Sequence, residues 1–285
     1  MKQRILFIVL LLVGLFIQQS CDKIELPYVV ATNVPVDPGG NVIKKVLIEE
    51  FTGHQCPNCP RGAVAVEQIK QTYGSRIVVM SVHAGLFART SSTGYFTMDY
   101  RAVSGTELDN FFGVSEVSLP KGMVNRAGFN INHRLGPDDL AGVVANALEG
   151  TAVMDVKITN NYNAALLTAQ IKVEVKALAS LTRKLMLSIF IVEDSIVSPQ
   201  KNSYPDLGPD VIINYVHRHV LRAAVNGTWG EVLHSGNNEL PAQTLYTKIY
   251  DYTIKNTWNA NNIGVVAFVY DGDTYEVVQA AEKHL

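Results

Sequence analysis

Residues 44–62 read KKVLIEEFTGHQCPNCPRG, and the fold turns on how this stretch is parsed. Lys44 to Phe51 form a short apolar run with β-branched content, which reads as a buried strand. Directly behind it stand two of the chain's three cysteines, Cys56 and Cys59, with His54 just before them. PRGAVAVEQIKQTYG (60–74) then reads as a helix. Ala63, Val66, Ile69 and Tyr73 recur at helical spacing, Pro60 is tolerated in the first turn, and Gly74 closes it. RIVVMSVH (76–83) is a second continuous apolar strand. Strand, helix and strand in this order make a βαβ unit, with parallel strands joined right-handedly. The cysteine pair at its first corner is open to three uses: a working dithiol, half of a metal site, or a staple.

Outward from this unit, residues 84–118 are polar and Gly- and Ser-rich. They read as an insertion over one edge of the sheet, with a helix around Thr106 to Phe112. VSLPKGMVNR leads through a proline into a short strand, and GPDDLAGVVANALEG (136–150) has the start and stop signals of a helix. From 151 the texture changes. DVKITNNYNAALLTAQIKVEVKAL reads as a hairpin turning at NNYN, and KLMLSIFIVED, NYVHRHVLRAA, LYTKIYDYTI and NIGVVAFVYDGDTYEVVQAAEKH supply further strands. Many strands and almost no helix predict an immunoglobulin-like antiparallel β-sandwich over 151–285.

The chain has 285 residues, 47 % hydrophobic and 18 % charged, so packed domains are expected and wholesale disorder is not. A net charge of −2 with no basic stripe gives no case for nucleic-acid binding. Lys2 and Arg4 precede an apolar run from Ile5 to Ile17. That run would reach only about 20 Å as a helix, short of a roughly 30 Å hydrocarbon core. It reads as the signal peptide (1–20) of a secreted chain. Cys21 follows and resembles the lipid-modified first residue of a bacterial lipoprotein, although Gln18 stands where such signals carry an aliphatic residue. An ordinary signal peptide cut nearby would leave Cys21 a free thiol. Residues 21–40, with PYVVATNVPVDPGG, read as lipidated terminus and linker. Lipidation of Cys21 leaves Cys56 and Cys59 as the only pair, outside the cytoplasm, where disulfides persist.

A C-x-x-C between strand and helix reads as a redox dithiol. Cys56 would sit at the helix mouth, where unpaired N–H groups favour its thiolate, and Cys59 one turn further in would resolve a mixed disulfide. Over about residues 41–150 the chain resembles the thioredoxin superfamily. The resemblance implies an α/β domain in which Glu50, six residues before Cys56, is a buried acid moving the proton of Cys59. It also implies that Leu119-Pro120 is a cis bond facing the dithiol. Leu119, His54, Pro57 and Asn58 would then border the partner polypeptide. Gln55 stands where that family usually has tryptophan.

EEFTGHQCPNCP, SVHAG, LPKGMVNR and YVHRHVLRAA together resemble the outer membrane protein 28 family, surface lipoproteins of Gram-negative anaerobes. That resemblance implies a lipid-anchored protein of the outer membrane in the cell envelope and names no reaction.

The alternatives stay open at this level. His54, Cys56, Cys59 and His83 would offer nitrogen and sulfur ligands to zinc or copper, although one C-x-x-C is only half a zinc signature. Otherwise His54 is a rim residue supporting the thiolate, and His83 is a strand end bonded to backbone. No other cofactor is expected beyond the Cys56–Cys59 disulfide itself. His217 and His219 would alternate on one strand, and Asp271-Gly272-Asp273 reads as a hairpin turn. No hydrolase elbow is present. Two functions follow: thiol–disulfide exchange with envelope proteins, or a non-enzymatic surface lipoprotein that uses the fold as a scaffold.

Overall fold

The computed structural model describes residues 42–285. The expected signal peptide, Cys21 and the whole linker to residue 40 lie outside these residues. β1 (Val46–Thr52) is buried along its whole length. α1 (Cys59–Tyr73) buries Cys59, Pro60, Gly62, Val66 and Ile69, and ends at Gly74, whose N–H bonds to Lys70 O. β2 (Ile77–His83) runs parallel to β1, from Val46 opposite Ile77 to Thr52 opposite His83. α2 (Val103–Phe112) and α3 (Val114–Val117) lead to β3 (Lys121–Val124), antiparallel to β1. α4 (Pro137–Leu148) begins where Gly136 N–H donates to Asp139 Oδ2 at 3.2 Å.

Ten strands follow: β4 (Met154–Asn163), β5 (Thr168–Ala177), β6 (Leu185–Glu193), β7 (Ile196–Lys201), β8 (Val211–His217), β9 (Val220–Ala224), β10 (Glu231–His234), β11 (Leu245–Thr253), β12 (Ile263–Asp271) and β13 (Val277–His284). They do not close on themselves as the expected self-contained sandwich. The main sheet runs β13-β12-β6-β9-β2-β1-β3, with β10 also on β6. The two halves of the chain meet where β2 lies parallel to β9, Ser81 opposite Val220, and Ser81 N–H donates to His219 O at 2.8 Å.

Side-chain parity sorts the core into three parts. On one face Leu47, Phe51, Met80, Val82, Phe190 and Phe268 form a single layer with Leu108 and Phe112 of α2. The other face is divided. Val46, Ile48, Ile77 and Val79 pack under α1 and α4 through Val66, Ile69, Leu140 and Val144. Ile189, Ile191, Val265 and Ala267 pack with Ile171, Val173 and Val175 of a separate β11-β5-β4 sheet. A second sheet layer over the C-terminal half is therefore present, but its partner layer is the sheet that carries β1 and β2.

Three local readings change. NNYN is inside β4, and the hairpin turns after it: Asn163 Oδ1 accepts from the N–H of Ala165 and Leu166, and Leu167 has φ 53°. NYVHRHVLRAA is two strands, β8 and β9, broken at His219 (φ 52°), so His217 and His219 do not share one. The 84–118 segment covers a face, not an edge: a side chain on Gly105 of α2 would lie 3.0 Å from Val82 and 3.3 Å from Leu221. Asp271 does close the β12–β13 turn, accepting from the N–H of Asp273 and Thr274.

Candidate functional site

The chain leaves β1 through a tight turn in which Cys56 N–H donates to Gly53 O at 2.9 Å. Gly53 has no room for a side chain, since a Cβ there would stand 2.5 Å from the Phe87 carbonyl carbon. Cys59 opens α1 and is joined to Cys56 in a disulfide, with the Cα atoms 5.4 Å apart. Both cysteines are only 1 % exposed, while Pro57 is half-buried and Asn58 exposed. The Leu119–Pro120 peptide is cis. α1, Pro120 and Glu50 converge on Gly62, where a Cβ would lie 2.7 Å from Pro120 Cβ and 3.3 Å from Glu50 Oε1.

Adjacent glutamates of β1 point to opposite faces and meet opposite fates. Glu49 is gripped at 2.7 Å by both Nε and Nη2 of Arg126, and this buried guanidinium lies over Phe112, Phe268 and Tyr270. Glu50 is also buried but has no cation. Ser81 Oγ donates to its Oε2 at 3.0 Å, and Oε1 has no hydrogen-bond partner. Burial, only partly opposed by the Ser81 hydrogen bond, pushes its pKa up to about 7.

The histidines sit deeper than expected. His54 is not a rim residue: its Nε2 is 3.0 Å from Arg89 O, its ring stacks on Phe96, and burial lowers its pKa. His83 makes no backbone hydrogen bond, since both ring nitrogens lack partners, and burial with His217 nearby holds it well below 6.5. It touches the rings of Tyr100 and His217, with centroids 4.9 and 5.5 Å away. Burial lowers His217 to about 4. Lowered in this way by burial, His54 has less positive charge to offer a thiolate than a free imidazole. Both cysteine sulfurs are occupied by each other, and no group of three or more His, Cys, Asp and Glu among the described residues is arranged to hold a metal ion.

The residues that sequence reasoning missed come from the C-terminal half. Gln200 Nε2 donates to Cys56 O at 2.9 Å, and Lys201 N–H to His54 O at 2.8 Å. Ser203 donates its N–H to Pro57 O at 2.9 Å and its Oγ to Asn58 Oδ1 at 2.8 Å. The Pro-rich stretch 198–210 carries no local signal of this docking. A cavity of about 440 Å³ lies between α1 and β8, lined by Glu50, Ser81, Val64, Tyr215 and His217 among others. A second of about 390 Å³ borders Asn58, Leu119, Pro120 and Tyr204.

Sheet and site together define a mixed α/β protein with a sealed disulfide at the head of its first helix and an uncompensated acid behind it. Residues 106–285 match the family model for outer membrane protein Omp28, and the chain belongs to that family of the outer membrane. The match begins beyond Cys59. In solved structures, HBP35 of Porphyromonas gingivalis is similar over 86 % of this chain and 76 % of its own, at 18 % identity and a TM-score of 0.64. A protein of Agrobacterium tumefaciens is similar over 85 % of this chain and 95 % of its own, at 12 % identity and a TM-score of 0.52. A domain of the outer membrane lipoprotein Omp28 from P. gingivalis is 25 % identical over 47 % of this chain and 88 % of its own, with a TM-score of 0.31. At such identities the first two likenesses concern the fold alone. No curated protein sequence matches.

Proposed function

We propose that this protein is an envelope lipoprotein, anchored through a lipid on Cys21, whose thioredoxin-like part exchanges disulfides through Cys56 and Cys59. The observation that carries this reading is Glu50. A buried carboxyl with no cation and an unpartnered oxygen is costly, and a merely structural disulfide has no use for it. A proton donor and acceptor with a pKa of about 7 beside the first turn of α1 suits the buried sulfur of Cys59.

From the oxidised state, a partner thiolate attacks Cys56 Sγ, forms a mixed disulfide and expels Cys59 as thiolate. Glu50 gives Cys59 its proton. A second partner thiolate then attacks the partner's own sulfur, releasing Cys56, which takes a proton from solvent. The partner dithiol loses two electrons and the Cys56–Cys59 pair gains them; the reverse sequence reduces a partner disulfide. Leu119-Pro120 and the cavity beside Asn58 support a place for the partner chain.

Redox titration together with insulin reduction tests the reading. A Cys56→Ser variant as active as the parent, or a potential below about −300 mV, typical of inert structural bridges, would sink it. One observation favours a second reading, a non-enzymatic surface lipoprotein in which the pair is only a staple: both cysteines are 1 % exposed.

A further inference from the structure

The face of the cysteine loop through which Cys56 would be reached is covered by the protein's own chain. Residues 200–203 lie along it in strand fashion. The N–H groups of Lys201 and Ser203, two residues apart, donate to the carbonyls of His54 and Pro57, and the Gln200 amide reaches the carbonyls of Gly53 and Cys56. Alternate N–H groups from one strand donating to exposed loop carbonyls is how an extended peptide adds to a backbone edge.

The covering segment belongs to a hairpin that stands outside both larger sheets. β7 and β8 pair only with each other, and their register slips between Ser198 and Gln200. The tip between them is braced from within: Asn202 Nδ2 donates to the carbonyls of Tyr204, Gly208 and Pro209, and its N–H to Asp210 O. The two corners that join the hairpin to the rest of the chain carry left-handed, non-glycine residues, Ser195 (φ 56°) and His219 (φ 52°). These corners also meet at one side chain, Asp194. Its Oδ1 accepts from Ser195 N–H at 2.6 Å, Arg218 stands 3.5 Å from that oxygen, and His219 Nδ1 is 3.7 Å from Oδ2. Beyond the loop the arm is held at Ser198, which accepts from the Tyr100 hydroxyl, and at His217, whose ring packs on His83 and Tyr100, so it can leave as one body once these contacts part with the loop bonds.

We infer that the carbonyl edge of residues 53–57 is a docking face for an extended polypeptide segment of a partner, and that the β7–β8 arm fills it until such a segment takes its place. As a substrate site this rests on the exchange reading above. The partner would present alternate N–H groups together with polar side chains such as the Gln200 amide and Ser203 hydroxyl, so the face fits unfolded or extended chain rather than a folded surface.

The test uses the full chain and a double variant, Gln200→Ala/Ser203→Ala, which removes the arm's side-chain bonds to the loop. Its disulfide should be reduced by dithiothreitol at least tenfold faster than the parent's. A synthetic peptide SPQKNSYPD, copied from residues 198–206, should slow that reduction again in the double variant. Equal rates in parent and variant, or a peptide without effect on the variant, would overturn the inference. Should the variant not fold, hydrogen exchange of the parent decides: the Lys201 and Ser203 amides should open together at least as fast as saturating dithiothreitol reduces the disulfide. Slower opening refutes an arm that must leave first. A variant that passes the peptide test but cannot reduce insulin leaves the docking face standing and removes the exchange chemistry.

Discussion

Glu50→Gln should stabilise the protein at alkaline pH and do almost nothing in acid. The folded carboxyl titrates at about 7 and the unfolded one at 4.5. Below pH 4.5 both are protonated, and burial of the group carries no ionic cost. As the pH rises from 4.5 to about 7, the unfolded chain releases its proton while the folded chain holds it, so stability falls; above 7 the folded group ionises too and the loss levels off. At roughly 1.4 kcal/mol per pH unit between the two values, the loss reaches about 3 kcal/mol. Glutamine keeps an oxygen for the Ser81 hydroxyl and has no charge to bury. Urea unfolding of parent and variant at pH 4.5, 6 and 8 should therefore give a stability difference near zero, then intermediate, then about 3 kcal/mol in favour of the variant. A difference that is the same at all three pH values would refute the assignment of Glu50 as a buried, uncompensated acid.

Arg126→Met leaves Glu49 buried without its partner and should cost about 3–5 kcal/mol in denaturant unfolding, whereas Glu49→Leu/Arg126→Met should recover most of it. Gly62→Ala gains up to about 1 kcal/mol of helix propensity but forces its Cβ onto Pro120. A net loss of about 1–3 kcal/mol is expected, read as a lowered melting temperature. His217 is held neutral down to about pH 4, against 6.5 when unfolded. Its contribution is intact above 6.5 and lost as the pH falls to 4, by about 3 kcal/mol. His217→Gln should flatten that acid limb of the stability profile.

The N-terminal part was legible because each signal in it is local. The apolar run at 44–51, Pro60 and Gly74 bounding a helix, and a second apolar strand within a short span leave little freedom to the chain. The joint between the halves was not legible, since Ser81 pairs with Val220 across more than a hundred residues and neither local pattern names the other. A usable clue was nevertheless present. A sandwich strand alternates, as β4, β5 and β11 do, and these three form the outer sheet. LSIFIV in β6 and GVVAFV in β12 do not alternate: they are buried on both faces, which marks interior strands of a sheet covered on each side. At the site, Glu50 could be singled out through the thioredoxin resemblance, but its lack of a cation could not. The partners that cover Cys56 come from a stretch whose composition says only that it turns.

The pairing of β2 with β9 also makes the protein a poor subject for dissection. A fragment ending at 150 would present β2 as a bare edge, and would expose Leu47, Phe51, Met80 and Val82, which in the whole chain share one layer with Phe190 and Phe268. Unpaired edges and uncovered apolar faces of that kind recruit other chains. A protease cut near residue 150 therefore should not release an independently folded N-terminal part. The cysteine corner and the strands that follow it should melt as one cooperative unit.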